Sequence, residues 1–401
     1  MANVKMSAIG LLDMLRFKNM KVRRDQIIEK TPMLALVENY ASNRNAEARH
    51  PLSQFFTIED IEVRGRGDVK TYTLRRTDGQ NPAFFRAGQF VVIRQMIDGK
   101  LIARPVTLSC GPAMTLEGKI QVTVKRVEQD AFLSAYIHDH WKVGDTVETS
   151  GPQGTFFYEP LRDAKKVIAI AGGSGITPIY AMANAIADGD EDFEMTILYG
   201  SRTKKDILFQ KEFDAIMART DKVRLVNVLS ESTAKDCEHG FITAELIQKY
   251  AGDGVYSVFA AGSKGMYAFL DGEAEKLGLI KKYYRKELYD NICRPWEYPG
   301  YPTEARDKVF NLKIKMCDQV FDIPCNANEN ILVALERAGV AGPNRCRGGI
   351  CGWCRSRLLA GEVFIPEDID GRRAQDKLDG YIHPCASFAV SDLSIEMPLK
   401  R

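Results

Sequence analysis

Residues 346–354 read Cys346-Arg-Gly-Gly-Ile-Cys351-Gly-Trp-Cys354, and this segment is the strongest indication of how the C-terminal part of the chain folds. Three cysteines lie within nine residues of one glycine-rich segment, and thirty residues separate the last of them from a fourth, Cys385. Three thiolates can surround one small inorganic core only if the loop turns tightly and directs its backbone amides toward the sulfurs. Glycine permits the dihedral angles that such a turn needs, and this loop contains three glycines.

The cysteine spacing is typical of the ligands of a plant-type two-iron, two-sulfur cluster, which carries one electron at a time. Zinc is the first alternative, but zinc sites usually draw on two short Cys-x2-4-Cys pairs. Disulfides are the second, but no secretory signal is visible and the nine cysteines are an odd number. The sequence therefore predicts a [2Fe-2S] cluster whose metal ligands are Cys346, Cys351, Cys354 and Cys385.

The composition sets the class of protein. A chain of 401 residues predicts several domains, and 45% hydrophobic residues allow sizeable cores. The formal charge of +2 gives no basis for a nucleic-acid partner. No apolar run approaches the roughly 20 residues of a membrane span, and the first residues lack a signal peptide. We therefore expect a cytoplasmic protein with no integral membrane segment.

The pattern along the chain predicts a multidomain protein. A helical N-terminal extension over residues 1–50 precedes a strand-rich region over 51–160, which predicts an antiparallel β-sheet or barrel. Strands alternate with helices over residues 161–290, and this predicts a parallel sheet covered by helices. A proline- and aromatic-rich segment over 291–305 is predicted to be a semi-rigid linker to the cysteine-containing domain, residues 306–401.

A glycine-rich loop, Ala171-Gly-Gly-Ser-Gly-Ile-Thr-Pro178, follows a predicted buried strand and opens a helix. Glycines let a pyrophosphate approach the backbone, and a helix N-terminus offers free amides. The ending Gly-x-Gly-x-x-Pro differs from the dinucleotide fingerprint, so we predict another kind of nucleotide-binding unit.

The ends of other predicted parallel strands carry further candidates, which are Ser201, Arg202 and the segment from Gly262 to Met266. Ser201 and Arg202 are candidates to hold an adenosine ribose or a 2′-phosphate; the alternative is a solvated strand end.

Two further segments suit a flavin. A hydride carries two electrons and the cluster accepts one, so a group that takes two and releases them singly is needed between them. Arg104-Pro-Val-Thr-Leu-Ser109 offers a fixed cation to a phosphate and hydroxyls to a ring edge. Asp130-Ala-Phe-Leu-Ser134 precedes a predicted helix, and its amides are candidates to cradle a flavin phosphate.

In this order the motifs resemble the ferredoxin–NADP reductase superfamily, and more closely the reductases that carry a C-terminal plant-type ferredoxin domain. The resemblance covers about residues 51–401. It implies an antiparallel β-barrel flavin domain, an α/β parallel-sheet NAD(P)-binding domain and an α+β ferredoxin domain of the β-grasp type. It rests on the four cysteines and on Arg104 to Thr107, Asp130 to Ser134, Gly151 to Gly154, Gly172 to Pro178, Tyr199 to Arg202 and Gly262 to Met266.

The resemblance also implies residue roles. Arg104 would bind the flavin phosphate, and the catalytic residues Thr107 and Thr177 would lie near the flavin N5 and the nicotinamide. The implied cofactor-binding residues are Arg104, Pro105, Val106, Thr107, Val124, Lys125, Ala131, Leu133, Ser134, Gly172, Gly173, Ser174, Gly175, Ile176, Thr177, Pro178, Ser201, Arg202, Gly262 and Met266.

Three positions depart from the family pattern. Val106 stands where the family has a tyrosine that packs on the flavin, Ala131 where it has a glycine, and Ala261 where it has a cysteine near the hydride path. The implied flavin is FAD, with FMN as the alternative. The implied electron donor is NADH or NADPH, with NADH favoured.

The sequence predicts an NAD(P)H-dependent electron-transfer reductase that passes electrons through FAD and the cluster to a downstream electron-accepting protein, such as an oxygenase. One alternative is a direct reductase of a small molecule such as a quinone, a ferric chelate or free flavin. The other is a nucleotide- and redox-sensing binding protein without turnover. No nucleophile–base pair is visible, and His138 and His140 form one short pair without the partners of a metal site.

Overall fold

The computed structural model describes residues 40–127, 132–287 and 293–398, together with isolated helical positions between 12 and 27. Two compact units are present, Met1–Ala48 and Arg49–Arg401. The helix Ala41–Arg49 has no buried residue. Most of the predicted N-terminal extension lies outside the described residues.

Six antiparallel strands form the first domain of the larger unit, in the order β4-β3-β6-β1-β2-β5. An isolated bridge between Leu108 and Val122 joins the two edge strands, which closes the sheet into a barrel. Alternate side chains point into the barrel because successive residues of a strand face opposite sides. The strands are β1 (Gln54–Arg64), β2 (Val69–Arg76), β3 (Phe90–Ile97), β4 (Lys100–Thr107), β5 (Lys119–Lys125) and β6 (Thr146–Thr149), and the helix Phe132–His140 packs beside β5.

Six parallel strands form the second domain, in the order β10-β9-β8-β7-β11-β12. Successive side chains of β7 enter two different hydrophobic cores, one on each face of the sheet, so its sequence is almost continuously apolar. The strands are β7 (Lys166–Gly172), β8 (Glu194–Ser201), β9 (Val223–Leu229), β10 (Glu238–His239), β11 (Ser257–Ala261) and β12 (Tyr284–Lys286). The helices are Ile176–Asp188, Gln210–Met217, Ala244–Ala251 and Lys264–Lys276.

The third domain contains a mixed five-stranded sheet, in the order β14-β13-β19-β15-β17, and a two-stranded sheet of β16 and β18. The helix Ile331–Arg337 buries its apolar face on the domain core. The cysteine loop lies between this helix and β15. The strands are β13 (Val309–Met316), β14 (Gln319–Asn326), β15 (Ser356–Ala360), β16 (Val363–Phe364), β17 (Tyr381–Ile382), β18 (Phe388–Ala389) and β19 (Leu393–Glu396), and a short helix spans Ala374–Leu378.

This architecture confirms the predicted multidomain fold class, with an antiparallel barrel, a parallel α/β sheet and a C-terminal α+β domain. Among the described residues, no helix is both long enough and apolar enough to span a membrane.

The segment predicted to be a linker is anchored to the third domain. Tyr298 is buried in the core of that domain. The hydroxyl of Tyr301 donates to the carbonyl oxygen of Ala327 at 3.2 Å, and its ring meets Phe364 edge-on at 5.3 Å. The aromatic residues explain the difference, since large rings gain more from burial than from exposure on a spacer.

Candidate functional site

A cleft of about 1530 Å³ follows the carboxyl edge of the parallel sheet and reaches the cysteine loop. The position is the one expected for a ligand, because the strand order reverses at β7, between β8 and β11. Gly348 of the cysteine loop contributes to the wall. The predicted cofactor-binding residues that line the cleft are Lys125, Gly172, Gly173, Ser174, Gly175, Ser201, Arg202, Gly262 and Met266.

The glycines of the loop after β7 serve two purposes. A methyl group on Gly175 would lie 2.2 Å from the carbonyl oxygen of Ala261, and one on Gly172 would lie 2.5 Å from the sulfur of Met266. These two glycines therefore allow the loops after β7 and β11 to pack together, which the sequence did not indicate. Gly173 has a φ of +55° and faces open space, so it is the position where a phosphate can approach the backbone.

Thr177 lies in the first turn of the helix Ile176–Asp188 and is buried. Its hydroxyl donates to the carbonyl oxygen of Ser174 at 3.1 Å. Ile176 and Pro178 are buried beside it. Thr177 thus lies directly beside the glycine loop. Its proximity to the nicotinamide stays a prediction.

A buried contact joins the barrel to the parallel sheet. Thr107, at the end of β4, donates its hydroxyl to the Glu287 carboxylate at 3.0 Å. Glu287 follows β12, and Tyr267 holds it in place by donating to its carbonyl oxygen at 2.9 Å while accepting from the Gly262 amide at 3.0 Å. Glu287 also lines the cleft, where a carboxylate beside a hydroxyl can accept or return a proton.

Sequence reasoning missed Glu287. A single glutamate after a three-residue strand belongs to no motif, and the contact to Thr107 spans 180 residues of chain. The available signal was its place at the end of a short strand, where parallel sheets position functional groups.

Arg104, predicted to bind the flavin phosphate, has a partner that the sequence did not indicate. Its Nη1 lies 2.9 Å from both carboxylate oxygens of Glu336, on the helix Ile331–Arg337 of the third domain. Burial, with a smaller effect from nearby Arg347 and against the opposing effect of Glu336, lowers the pKa of the Arg104 guanidinium to about 10. The guanidinium stays positively charged at neutral pH. The predicted binding of a flavin phosphate by Arg104 stays a prediction.

Pro105 and Val106 continue β4, and Val106 packs against the barrel core.

The second predicted flavin segment lies beside β5. Ala131 is outside the described residues. Leu133 is buried on the helix Phe132–His140, and the Ser134 hydroxyl accepts from the Val127 amide at 3.2 Å. Val124 of β5 is buried, and its carbonyl oxygen contacts the imidazole of His138.

The four cysteines come together in the third domain. The sulfurs of Cys354 and Cys385 lie 3.4 Å apart. The Cys351 amide lies 3.5 Å from the Cys346 sulfur, and the charges of Cys346 and Cys354 influence each other. A hydrogen bond from the Cys351 thiol lowers the pKa of Cys346 to about 5, aided by the amides of Cys351, Gly348 and Ile350. Amides directed at the sulfur favour the thiolate, which is the form that binds iron.

The cysteine loop turns tightly, as its glycines predicted. Arg347, Gly349 and Gly352 have φ values of 54°, 79° and 66°. A methyl group on Gly349 would lie 2.6 Å from the carbonyl oxygen of Ile369. In the described part of the chain, no three His, Cys, Asp or Glu side chains meet the geometry for a single metal ion. Four cysteines with inward-facing amides fit a two-iron cluster.

Side chains on the far wall of the cleft suit the adenosine part of a nucleotide. Phe241 and Phe269 both line the cleft, with their ring centroids 5.8 Å apart. Sequence reasoning missed this pair, because the two residues are apart in sequence and belong to no motif. Exposed aromatic rings offer apolar faces on which a purine can stack.

Replacing Gly175 with alanine is expected to weaken nucleotide binding at least about tenfold, since the new methyl group would overlap the carbonyl of Ala261 and separate the two loops. The dissociation constant for NADH, from the perturbation of flavin absorbance, measures this. Gly265→Ala is the control, because Gly265 also lines the cleft but nothing lies within 4 Å of its missing Cβ. Equal affinities in the two variants would contradict the role given to the Gly175 contact.

Three domain families match the chain in the order of its three domains. They are the oxidoreductase FAD-binding domain at residues 58–158, the oxidoreductase NAD-binding domain at 169–271 and the 2Fe-2S iron-sulfur cluster binding domain at 314–390. The order agrees with the barrel, the parallel sheet and the cysteine-containing domain described above.

Similar proteins share this organisation over most of their length. The reductase subunit of glycine betaine monooxygenase from Chromohalobacter salexigens is 27% identical over 343 residues, covering 82% of this chain and 91% of the relative. One of the subunits of 1,2-phenylacetyl-CoA epoxidase from Escherichia coli is 26% identical over 355 residues, covering 86% and 97%. The structure of phthalate dioxygenase reductase has the same fold, with a TM-score of 0.63 and 22% identity, covering 86% of this chain and 98% of that one. The chain therefore combines the oxidoreductase FAD-binding, oxidoreductase NAD-binding and 2Fe-2S iron-sulfur cluster binding families, as its resemblance to flavin reductases with a C-terminal plant-type ferredoxin domain predicted.

Proposed function

We propose that this chain is an NADH-dependent reductase that passes electrons through FAD and a [2Fe-2S] cluster to a separate protein, most simply an oxygenase. One observation carries the proposal: a single cleft contains the nucleotide-binding loops, Glu287 and the edge of the cysteine loop. The names of relatives that cover most of the chain support the identity of the partner, since one is the reductase subunit of a monooxygenase and another belongs to an epoxidase.

We assign different roles to different groups of residues along the cleft. FAD, when bound, supplies the conversion between two-electron and one-electron chemistry. The loop from Gly172 to Gly175 holds the nucleotide phosphates through its backbone and the helix N-terminus. Thr107 and Glu287 place a hydroxyl and a carboxylate at the junction of the barrel and the parallel sheet. Cys346, Cys351, Cys354 and Cys385 hold the cluster.

Electrons leave near Cys351 in this proposal. Cys346, Cys354 and Cys385 are buried, whereas Cys351 is exposed. Ile350, beside it, is 43% exposed. An apolar side chain next to an exposed ligand suits a brief contact with another protein, because apolar atoms at the centre of an interface exclude water.

We place the protein in the cytoplasm. Cys110 and Cys325 are buried as free thiols and Cys317 is an exposed one, and thiols and iron–sulfur ligands persist in a reducing compartment.

Charged side chains on the cleft wall support NADH rather than NADPH as the electron donor. Arg202 lies 3.7 Å from Glu231, and Arg66 lies 2.6 Å from Asp206. All four side chains line the cleft. Both arginines are already paired with carboxylates, so the extra phosphate of NADPH would meet little net positive charge.

Replacing Glu231 with glutamine is expected to raise the ratio of kcat/KM for NADPH to that for NADH by roughly two- to fivefold, the range for one exposed ion pair. Steady-state rates with both nucleotides measure this ratio. Glu238→Gln is the matched control, since it removes a carboxylate paired with Lys249 at 2.6 Å in the same domain. An unchanged ratio in the Glu231 variant would contradict the proposed charge selection.

Replacing Cys351 with serine is expected to abolish NADH-dependent electron delivery to a one-electron protein acceptor, because the cluster loses a ligand. Cytochrome c reduction measures the delivery, and iron content reports the cluster. Cys317→Ser is the control, since Cys317 is an exposed cysteine of the same domain outside the loop. Full cytochrome c reduction by a variant without iron would instead favour a direct reductase of small molecules.

A further inference from the structure

Three charged side chains from two domains meet away from solvent. Glu336 accepts from Arg104 of the barrel at 2.9 Å and from Arg347 of the cysteine loop at 2.8 Å and 3.2 Å. The exposed fractions of the three side chains are 18% for Arg104, 5% for Glu336 and 1% for Arg347. We name this group the Arg104–Glu336–Arg347 triad.

The triad also fastens the backbone of β4. The amide of Ala103 donates to Glu336 at 3.3 Å. The carbonyl oxygen of Ala103 accepts from Arg104 at 2.8 Å and from Arg347 at 3.4 Å. Both polar groups of one peptide residue in the barrel are therefore tied to side chains of the triad.

The first cluster ligand packs at the same place. Cys346 forms a buried apolar cluster with Phe90, Val92 and Ala103, which belong to β3 and β4 of the barrel. The cysteine loop thus contacts the barrel directly, with the triad beside the contact.

Arg347 adopts a conformation that needs support. Its φ is 54°, a left-handed value that is unfavourable for a residue with a Cβ. The residue immediately follows Cys346, so its conformation sets the direction in which the ligand loop leaves the barrel. Two hydrogen bonds from its guanidinium to Glu336 hold that conformation.

The charge balance makes Glu336 the essential member of the triad. Two guanidinium groups share one carboxylate, so removing the carboxylate leaves two like charges facing each other with little water. A buried ion pair adds little net stability when complete, but removing one partner is strongly unfavourable. Such a group favours one arrangement of two domains over others.

We propose that Glu336 is a positioning residue that fixes the cluster loop against the flavin barrel, and so sets the rate of electron transfer from flavin to cluster. The inference rests on the proposed function, because it assigns Glu336 to one step of that electron path. Glu336 acts through Arg104 and Arg347 and is not itself a ligand of a cofactor.

The test compares wild type, Glu336→Gln and Glu329→Gln, each loaded with FAD and iron. Glu329 is the matched control, because its carboxylate bonds to Arg337 at 2.7 Å and to Asn326 at 3.0 Å, both within the third domain. Anaerobic stopped-flow mixing with NADH follows flavin bleaching and cluster reduction separately. Glu336→Gln is expected to leave flavin bleaching unchanged and to slow cluster reduction at least about tenfold, since the neutral side chain no longer balances two buried guanidinium groups and the cysteine loop loses its fixed orientation on the barrel.

Hydrogen exchange gives a second readout that does not depend on activity. The Ala103 amide is expected to exchange more than about twofold faster in Glu336→Gln than in wild type or Glu329→Gln, since the neutral amide oxygen of glutamine is a weaker acceptor than the carboxylate. Cluster reduction and Ala103 exchange both within twofold of wild type would overturn the inference. If Glu336→Gln does not retain iron, the same two measurements are made on Glu336→Asp. This variant keeps the carboxylate charge but has a side chain one methylene shorter, so its carboxylate cannot reach both arginines. If wild type itself does not reduce its cluster with NADH, the proposed function fails instead.

Discussion

The packing of the cysteine loop on the barrel is the contact on which the proposed electron path depends. Cys346 lies among Phe90, Val92 and Ala103 of the barrel strands. Apolar packing excludes water there but does not by itself fix an orientation, because dispersion contacts are only weakly directional. The neighbouring Arg104–Glu336–Arg347 triad adds directional bonds. Together they hold Cys346, a predicted cluster ligand, against the barrel.

The parallel sheet brings the predicted nucleotide-binding loops to the same region. Its strand order reverses at β7, and the loops there open into the cleft that Gly348 of the cysteine loop also lines. The contact between Thr107 and Glu287 then ties the sheet to the barrel. Each domain thus contributes residues to one cleft.

Local patterns predicted much of this. The cysteine spacing and the apolar strand before Gly172 each carry a signal within a few residues, so the domain types and their order could be predicted. Contacts between distant residues carry no such signal. Arg104 meets Glu336 across 232 positions of sequence, and a guanidinium suited to a phosphate is equally suited to a carboxylate. Tyr301 was expected in a linker, because sequence alone does not show that a core lies within its reach.

An anaerobic titration of the purified protein with NADH, followed by visible absorbance and low-temperature EPR, tests the central claim most directly. We expect the flavin absorbance to bleach and the signal of a reduced [2Fe-2S] cluster to grow with the same additions of NADH. A cluster that is reduced by dithionite but not by NADH would contradict a continuous path from the nucleotide cleft to the cysteine loop.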